Sequence, residues 1–368
     1  MSVVLSAGLR RRARRACRDE PCRERHRGRQ AVRAAFAGAL GAGFVLLGAT
    51  PAGAHGLTGV QPTNFVSHVR SVTPNVAGLH VEVRDLGARI EVRNSTAFDV
   101  VIFGYSREQY LRVGPEGAYE NRRSPSVFLN RSGTVTAAVP PEYDAHAAPK
   151  WRRTGGGQSV FWHDHRVHWM GSDAPKAVRD SPGRTHLVSN WTVVLRYQGH
   201  DVIVRGDLRW VPGPSAAPRL ALSALVAIVI AALGFTRRWG LALALLLAGL
   251  AALVGVLVGG SWSATSAGAW TAFLSSAYSL LGIAVALAAV GALARSRHEP
   301  ADAAAIALVA AVILTLGSGL ADITFLTRSQ LPTTLPAAFA RTCVALVLGG
   351  SVGALVTSAR KLRRVRAT

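Results

Sequence analysis

Leu79-His80-Val81-Glu82-Val83-Arg84 and, after a short gap, Arg89-Ile90-Glu91-Val92-Arg93 decide the fold of the front half of the chain. Both alternate apolar and polar residues with a period of two, the pattern of a strand with one dry and one wet face. Gly87 supplies the turn between them. Phe98 to Tyr105 is a more continuously buried run, and Thr134 to Val139 reads as another strand. Trp191 to Tyr197 and Val202 to Val211 form a closing pair across Gln198-Gly199-His200-Asp201. Several short strands with frequent turns predict an all-β antiparallel sandwich over residues 55–216. Tyr110 to Pro125 is expected to be a structured loop with turns at Gly114-Pro115 and Glu116-Gly117. Asp144 to Gly157 is expected to be a loop leading to the segment that follows it.

The back half, 217–359, is a different material. Five apolar runs, at about 218–235, 239–259, 269–294, 302–321 and 334–357, are each long enough to cross a bilayer. Arg237-Arg238, Arg295-Ser296-Arg297-His298 and the basic tail 360–368 fall between or after them. By the positive-inside rule these belong in the cytoplasm, so the β-domain belongs outside a multi-pass cell-membrane anchor. Asp322, Arg328 and Arg341 gather near the outer face of these helices.

The front end reads as an export signal. An arginine-rich start precedes the apolar run Ala34 to Leu47 and the small-residue site Ala52-Gly53-Ala54. Residues 1–54 are therefore expected to be a signal peptide, and cleavage would make His55 the mature N-terminus. The formal charge of +22 over 368 residues sits largely in this leader and the tail. Basic ends flanking apolar segments set topology, and no nucleic-acid-binding motif accompanies them. Cys17 and Cys22 precede the cleavage site and Cys343 lies in an apolar run, so the exported domain carries no disulfide.

The chemistry concentrates in Phe161-Trp162-His163-Asp164-His165-Arg166-Val167-His168-Trp169-Met170. In an extended strand His163 and His165 share one face, and Trp162 and Asp164 take the other. His168 comes within reach if the chain turns near Arg166. Imidazole suits copper, zinc and nickel, and the thioether of Met170 favours Cu(I). Asp164 is expected to orient an imidazole by accepting its N–H. His163, His165 and His168 are thus the main metal candidates, with copper expected and zinc the alternative. An N-terminal His55 adds an amine and an imidazole suited to Cu(II). His146 is held in reserve.

A mature N-terminal histidine ahead of a β-sandwich resembles the periplasmic copper-resistance CopC family. The closing hairpin, Gln198-Gly199-His200 followed by Gly206 to Val211, is similar to that family's motif, with Gln198 in place of its aspartate. The resemblance implies that His55 and His200 are copper ligands. Fusion to a helical bundle is similar to CopC–CopD proteins, which implies copper handling or uptake. The Tyr110–Pro125 stretch with the histidine segment also resembles a group of actinobacterial membrane proteins, which implies a family but no activity.

The function expected is a membrane-anchored extracytoplasmic copper-binding protein in copper resistance, acquisition or delivery. Its expected partners are the copper ion, the membrane and other copper-handling membrane or exported proteins, with no nucleic acid. The chain is not expected to be an enzyme, since no G-x-S-x-G nucleophile motif occurs. Two other classes stay open. One is a copper or zinc enzyme, similar to polysaccharide monooxygenases or using Asp164 or Glu142 as base. The other is a metal-free surface module.

Overall fold

All the strand pairings are antiparallel, and the strands fall into two sheets. The computed structural model describes residues 60–132, 138–266, 268–295 and 300–367. The expected signal peptide, His55, His298 and most of the expected strand at Thr134–Val139 lie outside the described residues.

The strands are β1 (Phe65–Thr73), β2 (Leu79–Arg84), β3 (Arg89–Asn94), β4 (Val100–Phe103), β5 (Gln109–Gly114), β6 (Gly117–Asn121), β7 (Trp151–Gly155), β8 (Ser159–His163), β9 (His186–Tyr197) and β10 (His200–Trp210). The larger sheet runs β1-β10-β9-β4-β5-β6-β7, and the smaller runs β2-β3-β8. Ile90, Val92 and Trp162 from the smaller sheet share one core with Val113, Trp191 and Leu195 from the larger. The alternation of β3 is realised as written, since Ile90 and Val92 are fully buried between exposed or half-exposed neighbours.

The β9–β10 hairpin turns on Gln198-Gly199, both with positive φ (49° and 79°). A two-residue hairpin turn of that hand suits glycine. Elsewhere the structure corrects the sequence reading. Tyr110–Pro125 is not a loop: it supplies β5, β6 and their connecting turn, followed by helix α1 (Pro125–Ser132). Its charges hid this because they pair across the sheet. Arg112 lies over Tyr119 and Trp151, and Glu120 takes Arg131 and Arg152. The expected loop at Asp144–Gly157 likewise contains β7, paired with β6.

After the short helix α2 (Lys176–Asp180) and the last two strands, the chain enters helices α3 (Ala217–Leu233), α4 (Trp239–Ala264), α5 (Ala269–Ser275), α6 (Ala277–Ala294), α7 (Pro300–Leu314) and α8 (Ala337–Ala367). Among the described residues, four helices are long and apolar enough to cross a membrane: Trp239–Ala264, Ala277–Ala294, Pro300–Leu320 and Ala337–Val365. The run expected first, 218–235, forms α3, a shorter apolar helix of 17 residues. It packs on α8, where the Ser223 hydroxyl donates to the Ala345 carbonyl at 2.8 Å. The run at 269–294 is broken at Ser276, and α7 continues as a π-helical turn over Thr315–Leu320.

The β-domain is fastened to one end of the helices. Thr63 and Gln330 exchange backbone hydrogen bonds of 3.2 and 3.0 Å. Asn64 Oδ1 accepts from Ser329 N at 2.7 Å, and Gln330 Nε2 donates to the Phe65 carbonyl at 2.7 Å. Ser266, just past α4, donates its backbone N–H to Asp85 at 3.0 Å and accepts from Arg89 at 3.2 Å. Gly213 approaches so closely that a Cβ there would fall 1.8 Å from the Thr327 carbonyl oxygen. Basic residues mark the other end: Arg360 sits over Phe235 and Lys361 over Trp239.

On β10, the Asp207 carboxylate is buried between Arg70 (2.7 Å) and Arg209 (2.8 Å). Burial works to raise its pKa, but the two guanidinium groups outweigh it and hold the carboxyl below its usual value. A depressed carboxylate contributes stability that is complete above the unfolded value of about 4 and is lost as pH falls through the folded one. The Asp207→Asn protein is therefore expected to show a flatter acid limb than wild type in melting temperature measured from pH 7 downward. Parallel limbs would contradict this.

Candidate metal centre

Strand β8 ends at His163, paired opposite Arg89. The strand does not continue to His165 as the alternation predicted, because Asp164 starts a turn. Its carboxylate, fully buried, accepts hydrogen bonds from the Trp162 indole (2.8 Å) and from the Arg166 backbone (3.0 Å), Nε (2.9 Å) and Nη2 (2.6 Å). Its carbonyl accepts from Val167 N at 3.2 Å and lies 2.9 Å from His168 Nδ1. Burial raises the Asp164 carboxyl, but the hydrogen bonds and charge of Arg166 prevail and hold it below its usual value. Arg166 is correspondingly raised despite its own burial.

Asp164 therefore departs from its expected role. Its carboxylate holds Arg166 and Trp162, and it is its main-chain oxygen that meets an imidazole. A carbonyl oxygen only accepts, so the contact puts the proton of His168 on Nδ1 and the lone pair on Nε2. That is the arrangement in which a ligand histidine is usually oriented.

The turn brings the three rings together. Their centroids are 5.1 Å apart for His163–His165, 4.5 Å for His163–His168 and 5.9 Å for His165–His168. Three imidazoles bound through nitrogen at about 2.1 Å to a tetrahedral ion would have centroids about 5 Å apart, which the observed spacings bracket. The rings are mutually inclined by 78°, 52° and 83°. As the side chains stand, no group of three or more His, Cys, Asp and Glu among the described residues is arranged to hold a metal ion. The ring spacing is compatible with a shared ion, but the donor atoms are not arranged around one.

Residues remote in sequence back this cluster. His165 is buried, its backbone N–H donates to Tyr105 Oη at 2.9 Å, and its ring stacks on that of Tyr105 at 6.0 Å. Tyr105 Oη also meets Asn130, whose amide donates to Tyr110 Oη at 3.1 Å. Tyr110 in turn meets Trp162 edge-on at 6.3 Å. Burial, reinforced by the charge of Asp164, leaves both phenols raised, and for Tyr110 it outweighs the lowering hydrogen bond from Asn130, so both stay neutral. Nothing in the primary structure marked these residues as partners of the histidine segment.

The other candidates are dispersed. Trp169 stacks on Phe65 at 6.0 Å, and Phe65 pairs with Trp210 at one end of β10. His200 stands exposed at the other end, ten residues of strand away, on the order of 30 Å. It does not join the three rings. Met170, partly buried, follows Trp169 directly and so lies near the cluster's end of the domain. His146 is exposed in the turn made by Asp144, and His186 is tied to the Ser181 carbonyl at 2.8 Å. No protein-family model, curated protein or solved structure matches the chain.

Removing one member of a buried ion pair strands the other charge, at a cost of about 3–5 kcal/mol. Asp164→Ala is accordingly expected to lower the denaturation midpoint sharply and to disperse the histidine ring signals in NMR. The double variant Asp164→Leu/Arg166→Leu should recover part of the loss. A single variant as stable as wild type would show that the pair does not hold the turn.

Proposed function

We propose that this chain is a membrane-anchored, extracytoplasmic copper-binding protein involved in copper resistance, acquisition or delivery. The observation that carries the reading is the gathering of the His163, His165 and His168 rings within 4.5–5.9 Å of one another. Binding one ion would require the ring nitrogens to be re-aimed from where they stand, with His168 keeping or exchanging its contact to the Asp164 carbonyl. Imidazole nitrogen suits Cu(II), and Met170 adds a soft donor for Cu(I); zinc is the alternative metal. His55 and His200, the ligands implied by the CopC resemblance, would belong to a separate site, since His200 lies at the far end of β10. The two packed sheets fit an Ig- or CopC-like sandwich. Helix α3 would act as a fifth span.

Placing the β-domain outside the cell rests on charge. Arg237, Arg238, Arg360 and Lys361 lie at the end of the helices opposite that domain, and such residues favour the cytoplasm. A second reading, a metal-free surface module, is favoured by the Asp164–Arg166–Trp162 network, which satisfies the turn without any ion.

Titration of the full chain in detergent with Cu(II), followed by calorimetry and electron paramagnetic resonance, tests the proposal. Saturable binding with nitrogen hyperfine structure is expected. His163→Ala and His165→Ala should each weaken it by about a hundredfold or more, while His200→Ala leaves it unchanged. Absence of saturable binding of copper or zinc at about 10 μM would favour the metal-free module. Loss of binding in His200→Ala alone would shift the site to the hairpin.

A further inference from the structure

Below the β-domain, the ends of α4, α5 and α6 and the link after α7 surround a cavity of about 140 Å³, closed on one side by residues 60–62. A cavity of about this size accommodates a benzene-sized molecule. It is built from two kinds of surface. Ser261, Ser275 and Ser279 contribute hydroxyls, while Trp262 and Phe325 contribute aromatic area. Asp322 is the one titratable residue among the described residues that line it.

Two helices lose their regular course beside this space. The break at Ser276 separates α5 from α6, and Thr315–Leu320 forms a π-helical turn. The two irregular stretches are stitched together: Ser279 Oγ donates to the Gly317 carbonyl at 3.2 Å, and Ser318 Oγ to Ser279 Oγ at 3.3 Å. Irregular backbone at membrane depth is tolerated where it is packed in protein or lines a polar cavity. π-Turns are retained disproportionately at functional sites.

The carboxylate itself is the second observation. Asp322 uses its backbone in the turn, donating to the Ser318 carbonyl (3.1 Å) and accepting from Phe325 N (2.9 Å). Its side chain forms no ion pair with a lysine or arginine among the described residues. Arg341, the buried arginine of α8, is engaged by the carbonyls of Phe325, Arg328 and Ser329 at 3.0, 2.7 and 3.4 Å. Burial pushes the Asp322 carboxyl up to about 6, with no neighbouring cation to pull it back. It is nevertheless mostly ionised at neutral pH. A partly desolvated anion of this kind is costly unless a cation answers it.

We infer that this cavity is a binding site for a small organic ammonium ion, with Asp322 as its counter-charge. Calcium or magnesium would want six or more oxygen ligands or retained water, and zinc or copper would want imidazole or thiolate donors; one carboxylate is a poor start on either set. An alkylammonium matches the lining better: one positive charge for Asp322, N–H or hydroxyl groups for the serines, and methyl or methylene surface for Trp262 and Phe325. Trp262 is held by its indole N–H, which donates to Ser276 Oγ at 2.8 Å. Aromatic faces attract such cations, and of the two Phe325 is buried while Trp262 is partly exposed. No histidine of the cluster lines this site, and the inference does not depend on copper binding.

The test is calorimetric titration of the full chain in detergent micelles with methylammonium, tetramethylammonium and choline. The uncharged carbon isostere of choline and potassium chloride serve as comparisons. At least one ammonium ion is expected to bind saturably, with the uncharged isostere weaker by about tenfold or more. Asp322→Asn should weaken ammonium binding by about tenfold or more while melting at the same or a higher temperature, and His163→Ala should leave binding intact. The inference is overturned if no ammonium ion saturates below about 10 mM, or if Asp322→Asn binds as tightly as wild type. It is equally overturned if the uncharged isostere binds as well as choline, or if potassium competes with equal affinity.

Discussion

The burial of a single carboxylate, Asp164, sets the geometry at the heart of the β-domain. Taking a carboxylate out of water costs several kcal/mol unless donors replace the lost hydration. Here the donors come from Trp162 on one side and Arg166 on the other. To reach both, the chain leaves β8 and folds over its own main chain, which points the Asp164 carbonyl at His168. The convergence of three imidazoles is thus a by-product of solvating one anion. The tyrosine pair behind it then fixes the depth of the turn, since the His165 backbone is held by the Tyr105 hydroxyl.

Asp164 and Asp322 show the two fates of a carboxylate removed from water. The first is surrounded by donors and held below its usual pKa. The second lies in a cavity wall with hydroxyls nearby and is pushed up to about 6. One is a finished structural element. The other leaves charge at the junction of two irregular helices, where the surrounding backbone has given up regular hydrogen bonding. Their neighbours in sequence, histidines and an arginine for Asp164 and apolar residues for Asp322, do not by themselves tell which carboxylate ends up surrounded by donors.

What was legible in the chain follows from which interactions are local. The β2–β3 pair and the β9–β10 hairpin were readable because period-two alternation and a Gln-Gly turn are written within a dozen residues. Four of the five apolar runs were readable as helices long and apolar enough to cross a membrane, because length and hydropathy suffice, while 218–235 gave a shorter helix. The β5–β6 hairpin was not, since Arg112 and Glu120 make its strands look like a polar loop until their cross-strand partners, Tyr119 and Arg152, are in place. The histidine segment was recognisable as a cluster, but its turn was not, because the rule of alternation assumes that the strand persists. The placing of His200 depended on strand length and sheet register, and the contact between Tyr105 and His165 spans 60 residues. Neither can be read without the fold.

The seam between β1 and the link before α8 carries a practical corollary. Thr63, Asn64 and Phe65 satisfy their polar groups through Ser329 and Gln330, and Asp85 through Ser266. Excising the β-domain as a soluble fragment would strip those groups of their partners and leave a raw strand margin open to pairing with another copy. The fragment would therefore be a different object from the tethered domain: stickier at its base and free to swivel. Its behaviour in solution would report on that wound as much as on the native fold.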